Sequence, residues 1–195
     1  MNGWNKARAV EARGLAVLLP YLSEKSDGRL VVTSKGRLAR YLQLEVGDVI
    51  FNSRDDAVWT AEIKVEEKHT GNLFLETWSN RNFASARSHA EHGSNVGWLF
   101  HTRADLLLYY FLDTDDLYTV DLFLLKRWAF GAGDRRGRIY TFPEIPQTKN
   151  NQMNETCGRI VDVRVLADVL GQGLRHCRVR QLSLPMLGGG EFAHA

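Results

Sequence analysis

Two carboxylates and one amine in the middle of the chain have the types and the spacing for metal-assisted hydrolysis. Glu62 and Lys64 stand two residues apart, and thirteen residues separate Asp48 from Glu62. Carboxylate oxygens are ligands that Mg²⁺ accepts, with water and substrate phosphate completing the octahedron. Such an ion activates water, and a neighbouring amine orients that water or neutralises charge in the transition state. The three residues therefore fit phosphodiester hydrolysis, if the fold brings them together.

A β-hairpin is the element that would position these residues. From Leu44 to Glu66 the sequence alternates with a period of two, interrupted by polar turn residues at 53–56. With Asp55 at the centre of the turn, the even positions place Asp48 opposite Glu62, their Cβ atoms about 4.5 to 5.5 Å apart, and put Lys64 on the same face. The odd positions are apolar and are expected to face a core: Val49, Phe51, Ala57, Trp59, Ala61, Ile63 and Val65.

The same alternation also has a purely structural interpretation, a solvent-facing strand on which Glu-x-Lys-x-Glu is common. Against it, like charges directly opposite on a sheet destabilise the sheet by about 0.2 to 1 kcal/mol unless a cation lies between them. The pair of Asp48 and Glu62 therefore favours a bound divalent cation, Mg²⁺ or Mn²⁺. Asp55 and Asp56 are rival acids, but a position in the turn would leave them far from Glu62.

Further elements are expected around the hairpin. Residues 6–22 have apolar side chains at helical spacing, although Pro20 is expected to kink or end that helix. Strands are expected at 30–33, 73–78 and 109–112, and Asp121 can cap a helix that runs through Trp128. Strands and helices in this order predict an α/β fold.

The residues of the hairpin resemble the signature of the PD-(D/E)XK nuclease superfamily. The signature is an Asp followed at a distance by Glu-x-Lys on a strand-turn-strand, here Gly47-Asp48 and Glu62-Ile63-Lys64. The chain is also similar over roughly residues 40–130 to phage-borne and bacterial proteins of that superfamily, many of unassigned role. The matching segments are Thr70-Gly71-Asn72-Leu73-Phe74-Leu75-Glu76-Thr77-Trp78-Ser79-Asn80, Gly97-Trp98, Ala104-Asp105 and Tyr109-Tyr110-Phe111.

The resemblance implies a restriction-endonuclease-like fold, a mixed β-sheet with flanking helices. It implies that Asp48 and Glu62 are metal ligands, that the Ile63 carbonyl is a further ligand, and that Lys64 is the catalytic amine. The implied cofactor is Mg²⁺ or Mn²⁺.

The resemblance also implies auxiliary acids. Many members of the superfamily recruit an acid from the first helix, for which Glu11 and Glu24 are candidates here. Glu76, on the strand after the hairpin, is a candidate for an additional ligand or for a residue that supports the ligands.

A polar stretch from Asn80 to Gly97 has little periodicity and is expected to be a long loop. Loops of this length in compact domains are usually functional or mobile. The amide of Asn80 and the guanidinium groups of Arg81 and Arg87 can contact phosphates and bases. We therefore expect nucleic-acid contacts from these three residues.

Other kinds of site have weaker signals. His89-x-x-His92 and His101 invite a zinc interpretation, but no cysteine lies nearby and the histidines fall in or next to the expected loop. The chain contains no Gly-x-Gly-x-x-Gly, phosphate-loop lysine or serine elbow. Nucleotide cofactors and acyl transfer are not indicated.

Length and composition agree with one domain inside the cell. The chain has 195 residues, 25 Lys and Arg against 23 Asp and Glu, and two cysteines. We expect a single domain over residues 1–195, with its core at about 6–182 and a flexible tail at 183–195. No apolar run approaches the roughly 18 to 20 residues needed to span a bilayer, and no signal segment is visible, so we expect a cytoplasmic protein without a membrane partner. The resemblance to phage-borne and bacterial proteins implies a bacterial or phage-infected cell. Homodimer formation is left open.

The resulting expectation is a Mg²⁺-dependent endonuclease that hydrolyses DNA. Two alternatives remain. The first is a non-enzymatic DNA-binding or assembly protein on a nuclease fold, and the second is an RNA nuclease.

Overall fold

The computed structural model describes residues 3–33, 39–52, 56–81, 95–131, 137–147 and 155–179. Its helices are α1 (Gly3–Lys25), α2 (Ala39–Val46), α3 (Trp98–His101), α4 (Leu122–Ala129) and α5 (Val163–Leu170). Its strands are β1 (Leu30–Val32), β2 (Val49–Asn52), β3 (Val58–Glu66), β4 (Asn72–Trp78), β5 (Leu106–Phe111), β6 (Asp116–Asp121), β7 (Glu144–Pro146), β8 (Cys157–Asp162) and β9 (Leu174–Arg178). Short 3₁₀ turns lie at Arg138–Thr141 and Gly171–Gly173. The expected α/β class is confirmed.

The strands form two sheets. Six of them make a mixed sheet in the order β1-β2-β3-β5-β6-β9, in which β3 and β5 are parallel and every other neighbouring pair is antiparallel. The other three make an antiparallel sheet in the order β4-β8-β7. Since β4 follows β3 in the chain but belongs to the second sheet, the connection from β3 to β5 passes through that sheet.

The register of the hairpin agrees with the sequence pattern. Val49 pairs with Ala61 and Asn52 pairs with Val58, so the numbers of paired residues sum to 110 as expected. The start of the hairpin was predicted wrongly, because Leu44 belongs to α2 and β2 begins only at Val49. The reason is Gly47, which has a φ of 87° and donates its N–H to the Gln43 carbonyl, and so ends α2 before the strand can start.

The first core lies between α1 and one face of the six-stranded sheet. It contains Leu18 and Leu22 of α1 together with Val49, Ala61 and Ile63 of the hairpin. The odd positions of β3 therefore face a core as expected from Ala61 onward. Trp59, nearer the turn, pairs with Phe51 on the same face as expected but is 38% exposed, so the prediction that the core covers it was wrong.

Helix α1 does not end at Pro20. It continues to Lys25, because Leu18 and Leu22 on either side of the proline are buried against the sheet and hold the last turns in place. The helix then closes in a Schellman motif, in which Gly28 donates its N–H to the Ser23 carbonyl and Asp27 has a φ of 50°. No helix in the described part of the chain is long and apolar enough to cross a membrane.

The second core lies on the opposite face of the six-stranded sheet. Leu107, Tyr109 and Phe111 of β5 are buried there against Leu73 and Leu75 of β4, with α3, α4 and α5 contributing further apolar side chains. In the parallel register, Glu62 pairs with Leu107 and Lys64 pairs with Tyr109. Glu62 and Lys64 therefore point to the side of the sheet that the second sheet and these helices cover, and not to open solvent.

Candidate functional site

The candidate site begins where α2 ends and β2 begins. A Cβ at Gly47 would lie 2.7 Å from the carbonyl oxygen of Ala61, and the positive φ of this residue also disfavours other side chains. Gly47 therefore allows the chain to approach β3 closely. The next residue, Asp48, donates its backbone N–H to the same Ala61 oxygen at 2.8 Å, which fixes Asp48 beside β3 at the entry to the hairpin.

The Asp48 carboxylate turns toward the backbone of β3. Its Oδ2 accepts a hydrogen bond from the Ile63 N–H at 2.8 Å, and its Oδ1 accepts one from Gln43 Nε2 at 3.4 Å. Burial and the negative charge of Glu62 raise the pKa of Asp48 to about 6, although Lys64 and both hydrogen bonds act in the opposite direction. Asp48 and Glu62 thus lie close enough to repel each other when both are ionised.

Lys64 is the counter-ion of this acidic pair. Its Nζ lies 2.7 Å from Glu62 Oε1 and 5.9 Å from the centre of the Trp98 ring. Burial disfavours the ammonium, but the carboxylates of Glu62, Glu76 and Asp48 outweigh burial and raise the pKa of Lys64 above its ordinary value. Lys64 therefore stays protonated. A protonated lysine can stabilise negative charge but cannot accept a proton.

Glu76 reaches the same cluster from the second sheet. It lies on β4, acts on Lys64 through its charge, and accepts a hydrogen bond from Ser79 Oγ at 2.5 Å on Oε1. A Cβ at Gly97 would lie 2.3 Å from the Glu76 carbonyl oxygen, so only glycine lets the following helix, α3, begin this close to β4. Trp98, the first residue of α3, is 2% exposed and lies beside the Lys64 ammonium.

A second lysine, not expected from the sequence, lies at the edge of the cluster. Lys126 of α4 donates from Nζ to the Thr102 carbonyl oxygen at 2.5 Å. Burial lowers the pKa of Lys126, and the charge of Glu62 opposes that shift. Lys126 belongs to a helix whose apolar spacing indicated only core packing, and the sequence separates it widely from Glu62. The only local feature that could have indicated its role is that this charged residue directly follows the buried Leu125.

The auxiliary acids proposed from the first helix do not join this cluster. Glu11 and Glu24 are exposed on α1, and α1 packs against the face of the sheet opposite to Glu62 and Lys64. The rival acid Asp56 lies at the hairpin turn and pairs with Arg29 at 2.5 Å. Asp55 falls outside the described residues. Asp48 is therefore the acid of the hairpin that accompanies Glu62.

Two of the three residues that were expected to contact nucleic acid, Asn80 and Arg81, lie just after β4. Arg81 Nη1 is 3.7 Å from Glu144 Oε1. Asn80 donates its backbone N–H to the Asn95 carbonyl at 3.2 Å. Ser79, next to Asn80, bonds to Glu76, so this segment is linked to the cluster. Arg87 and residues 82–94 lie outside the described part of the chain.

The zinc interpretation gains no support from His101. Its Nδ1 lies 3.0 Å from the Val96 carbonyl oxygen, which accounts for this ring nitrogen. His89 and His92 lie outside the described residues. Within the segments that the structure describes, no three His, Cys, Asp or Glu side chains form a group able to hold a metal ion.

A single Mg²⁺ nevertheless fits the donors of the cluster. Mg²⁺ in phosphate-processing sites is commonly bound by one or two carboxylates, with waters and substrate phosphate as the remaining ligands. Asp48 and Glu62 supply two such carboxylates, and a cation would offset the negative charge of Glu62, which after burial is the second cause of the raised pKa of Asp48. Because the N–H and C=O of one strand residue face the same neighbour, the Ile63 carbonyl also faces the side of Asp48.

No protein-family model, curated protein or solved structure matches this chain. The chemistry of the cluster therefore carries the functional proposal.

Proposed function

We propose that the chain is a Mg²⁺- or Mn²⁺-dependent nuclease that hydrolyses phosphodiester bonds in DNA, with a site of the PD-(D/E)XK kind. One observation carries the proposal. Asp48 at the entry to the hairpin and Glu62 and Lys64 on β3 converge in one cluster, in which the two acids repel each other and Lys64 compensates them. This is the arrangement of charges that a divalent ion and a phosphate would use.

Asp48 and Glu62 are the residues that would hold the ion, with the Ile63 carbonyl as a further oxygen donor. When bound, the ion would lower the pKa of the attacking water and stabilise the leaving oxygen. Asp48 must ionise to act as a ligand. Since its pKa is raised to about 6 without metal, metal binding and loss of this proton are coupled, and metal affinity falls as the pH drops below that value.

Lys64 would stabilise the negative charge that develops on the phosphoryl oxygens. Its ammonium lies between Glu62 and the Trp98 ring, so its position is defined before substrate arrives. The negative charge of Glu76 also favours the protonated form of Lys64. If Glu62 held the ion, Lys64 would be free to contact the phosphate, and the charge of Glu76 would still favour the protonated form of Lys64.

A second candidate function is a non-enzymatic DNA-binding or assembly protein that keeps the nuclease fold. The observation that favours it is the direct ion pair between Lys64 and Glu62, which neutralises one of the two acids without metal.

Cleavage assays separate these functions. Wild-type protein is incubated with supercoiled plasmid, branched DNA and single-stranded RNA, each with Mg²⁺, with Mn²⁺ and with EDTA. We expect metal-dependent cleavage of DNA that is lost in Glu62→Gln and retained in Asp56→Asn, a matched loss of one carboxylate at the exposed turn. Cleavage of RNA alone would identify an RNA nuclease. Metal-independent DNA binding without any cleavage would favour the non-enzymatic function.

A further inference from the structure

Helix α4 delivers a lysine ammonium to the edge of the candidate site. The Asp121 side chain caps the helix by accepting the Leu124 N–H at 2.9 Å, and Leu122 and Leu125 are buried in the second core. Lys126 follows Leu125 directly, and its half-buried side chain ends at the Thr102 carbonyl, 2.5 Å from Nζ. The position of the ammonium is thus set by a packed helix and by the residue that follows α3.

This ammonium forms no salt bridge with any residue that the structure describes. The charge of Glu62 acts on Lys126 through space, but the ion pair of Glu62 is made with Lys64, at 2.7 Å from Oε1. The carbonyl of Thr102 uses one of the three N–H donors of Lys126, and two remain. A partly buried cation without a counter-ion costs free energy, and an anionic ligand would recover that cost.

We propose that Lys126 is a phosphate-binding residue of the candidate site, which contacts a backbone phosphate of the nucleic acid next to the one on which Lys64 acts. The inference rests on the proposed function and extends it to a second phosphate. Lys64 Nζ lies 5.9 Å from the centre of the ring of Trp98, at the start of α3, and Lys126 Nζ bonds to Thr102, just after the end of α3. The two ammonium groups come from different elements, β3 and α4, and can engage different phosphates. A lysine serves as a point-charge donor for phosphate and reads no base.

The test compares Lys126→Met with Lys126→Arg and with Arg127→Met. Arg127 is the next residue of the same helix and is exposed, so its loss changes the net charge equally without affecting the site. Binding of a short labelled DNA duplex is measured by fluorescence anisotropy in EDTA over roughly 50 to 200 mM salt. Thermal melts with inorganic phosphate, against sodium chloride of equal ionic strength, provide a probe that does not require DNA.

We expect Lys126→Met to lower the slope of log affinity against log salt by about 1, Lys126→Arg to retain the wild-type slope, and Arg127→Met to leave it unchanged. We also expect phosphate to stabilise the wild type and Lys126→Arg but not Lys126→Met. Equal slopes for Lys126→Met and Arg127→Met would overturn the inference. Phosphate stabilisation that depends on Lys126, without DNA binding by the wild type, would keep the inference and remove DNA as the substrate. A wild type that responds to neither probe would overturn it.

Discussion

The carboxylate of Asp48 accepts a hydrogen bond from the backbone N–H of Ile63, 2.8 Å away. Ile63 lies between the two polar residues of the motif, so this bond ties the acid that precedes β2 directly to the strand that carries Glu62 and Lys64. No residue of β2 pairs with Ile63, because the ladder between β2 and β3 begins at the pair of Val49 and Ala61. The Asp48 side chain therefore takes the place of the missing ladder partner. The same hydrogen bond therefore closes the open end of the hairpin and positions the Asp48 carboxylate in the candidate site.

Replacing Lys64 by methionine tests the charge-stabilising role. We expect cleavage to fall by about 10²-fold or more, because a positioned charge in the transition state is lost. DNA binding should stay near the wild-type value, since one amine among many phosphate contacts contributes little affinity. Single-turnover cleavage and anisotropy binding measure the two effects.

The same variant has a second expected property. Without Lys64, the buried Glu62 has no ion-pair partner, so the metal-free variant should melt below the wild type. Mg²⁺ should then stabilise Lys64→Met more than the wild type, because the ion takes over the lost charge compensation. Lys68→Met, at an exposed lysine beyond the end of β3, is the control. Parallel loss of binding and cleavage in Lys64→Met would mean that Lys64 positions the substrate instead.

A comparison of alanine substitutions at Gly47 and Gly28 distinguishes the effect of backbone strain from the effect of the close approach at the candidate site. Gly47 and Gly28 have φ values of 87° and 79°, so alanine is strained at both by about 1 to 2 kcal/mol. A Cβ at Gly28 would meet nothing within 4 Å, whereas at Gly47 it would lie 2.7 Å from the Ala61 oxygen that Asp48 also contacts. Gly47→Ala should therefore cost more stability, and only Gly47→Ala should weaken Mn²⁺ binding.

Thermal melts and Mn²⁺ calorimetry on both variants give the comparison. If both bind Mn²⁺ as tightly as the wild type does, the close approach at Gly47 does not position a metal ligand.

The hairpin was predictable because its information is local. A period of two and a polar turn fix which residues face each other, and the ladder from Val49 to Asn52 follows that register. The limits of α1 and β2 were not predictable to the residue. Pro20 remains inside α1 because burial of Leu18 and Leu22 outweighs its local effect, and Leu44 lies in a helix that only Gly47 ends.

The surroundings of Lys64 depend on contacts that no local pattern records. Trp98, Glu76 and Lys126 come from three elements that meet only after the second sheet and α4 pack on the first sheet. The types of the motif residues could therefore be proposed from the sequence, but the second ammonium could not. The exposed acids Glu11 and Glu24 illustrate the opposite case, since an acid on the first helix says nothing about which face of the sheet that helix covers.

The segment that follows β4 is expected to contact nucleic acid through Arg81 and Arg87. Replacing both arginines by alanine should lower the slope of log affinity against log salt by about 1 to 2, because each released phosphate contact contributes close to one unit. The pair Arg103→Ala and Arg164→Ala is a matched control, since both are exposed arginines that, like Arg81, have a carboxylate partner. A slope that changes equally in both double variants would remove this segment from the interface.

Asp48→Asn tests the metal ligand through stability. In EDTA the folded-state pKa of Asp48, about 6, lies above its ordinary value, so the folded protein holds this proton more tightly than the unfolded chain does. Below about pH 4 Asp48 is protonated in both states and has no effect on the free energy of unfolding. As the pH rises from about 4 to about 6 the free energy of unfolding falls, and above about pH 6 the full cost of ionising the buried carboxyl is present. The cost is about 1 to 3 kcal/mol. The amide side chain of the Asp48→Asn variant would keep an acceptor for the Ile63 N–H and avoid this cost.

The metal-free variant should accordingly melt above the wild type near pH 7 and equal to it near the acid end of the window. Mg²⁺ should reverse the order, because a bound ion would stabilise the folded wild type by about 2.7 kcal/mol at a hundredfold excess over its dissociation constant, and the variant would lack one charged ligand. Thermal melts at several pH values, with EDTA and with Mg²⁺, measure both effects, and Asp56→Asn controls for the loss of one carboxylate. A variant that melts below the wild type in EDTA at neutral pH, with equal Mg²⁺ shifts for both proteins, would show that Asp48 is not paired with Glu62 around an ion.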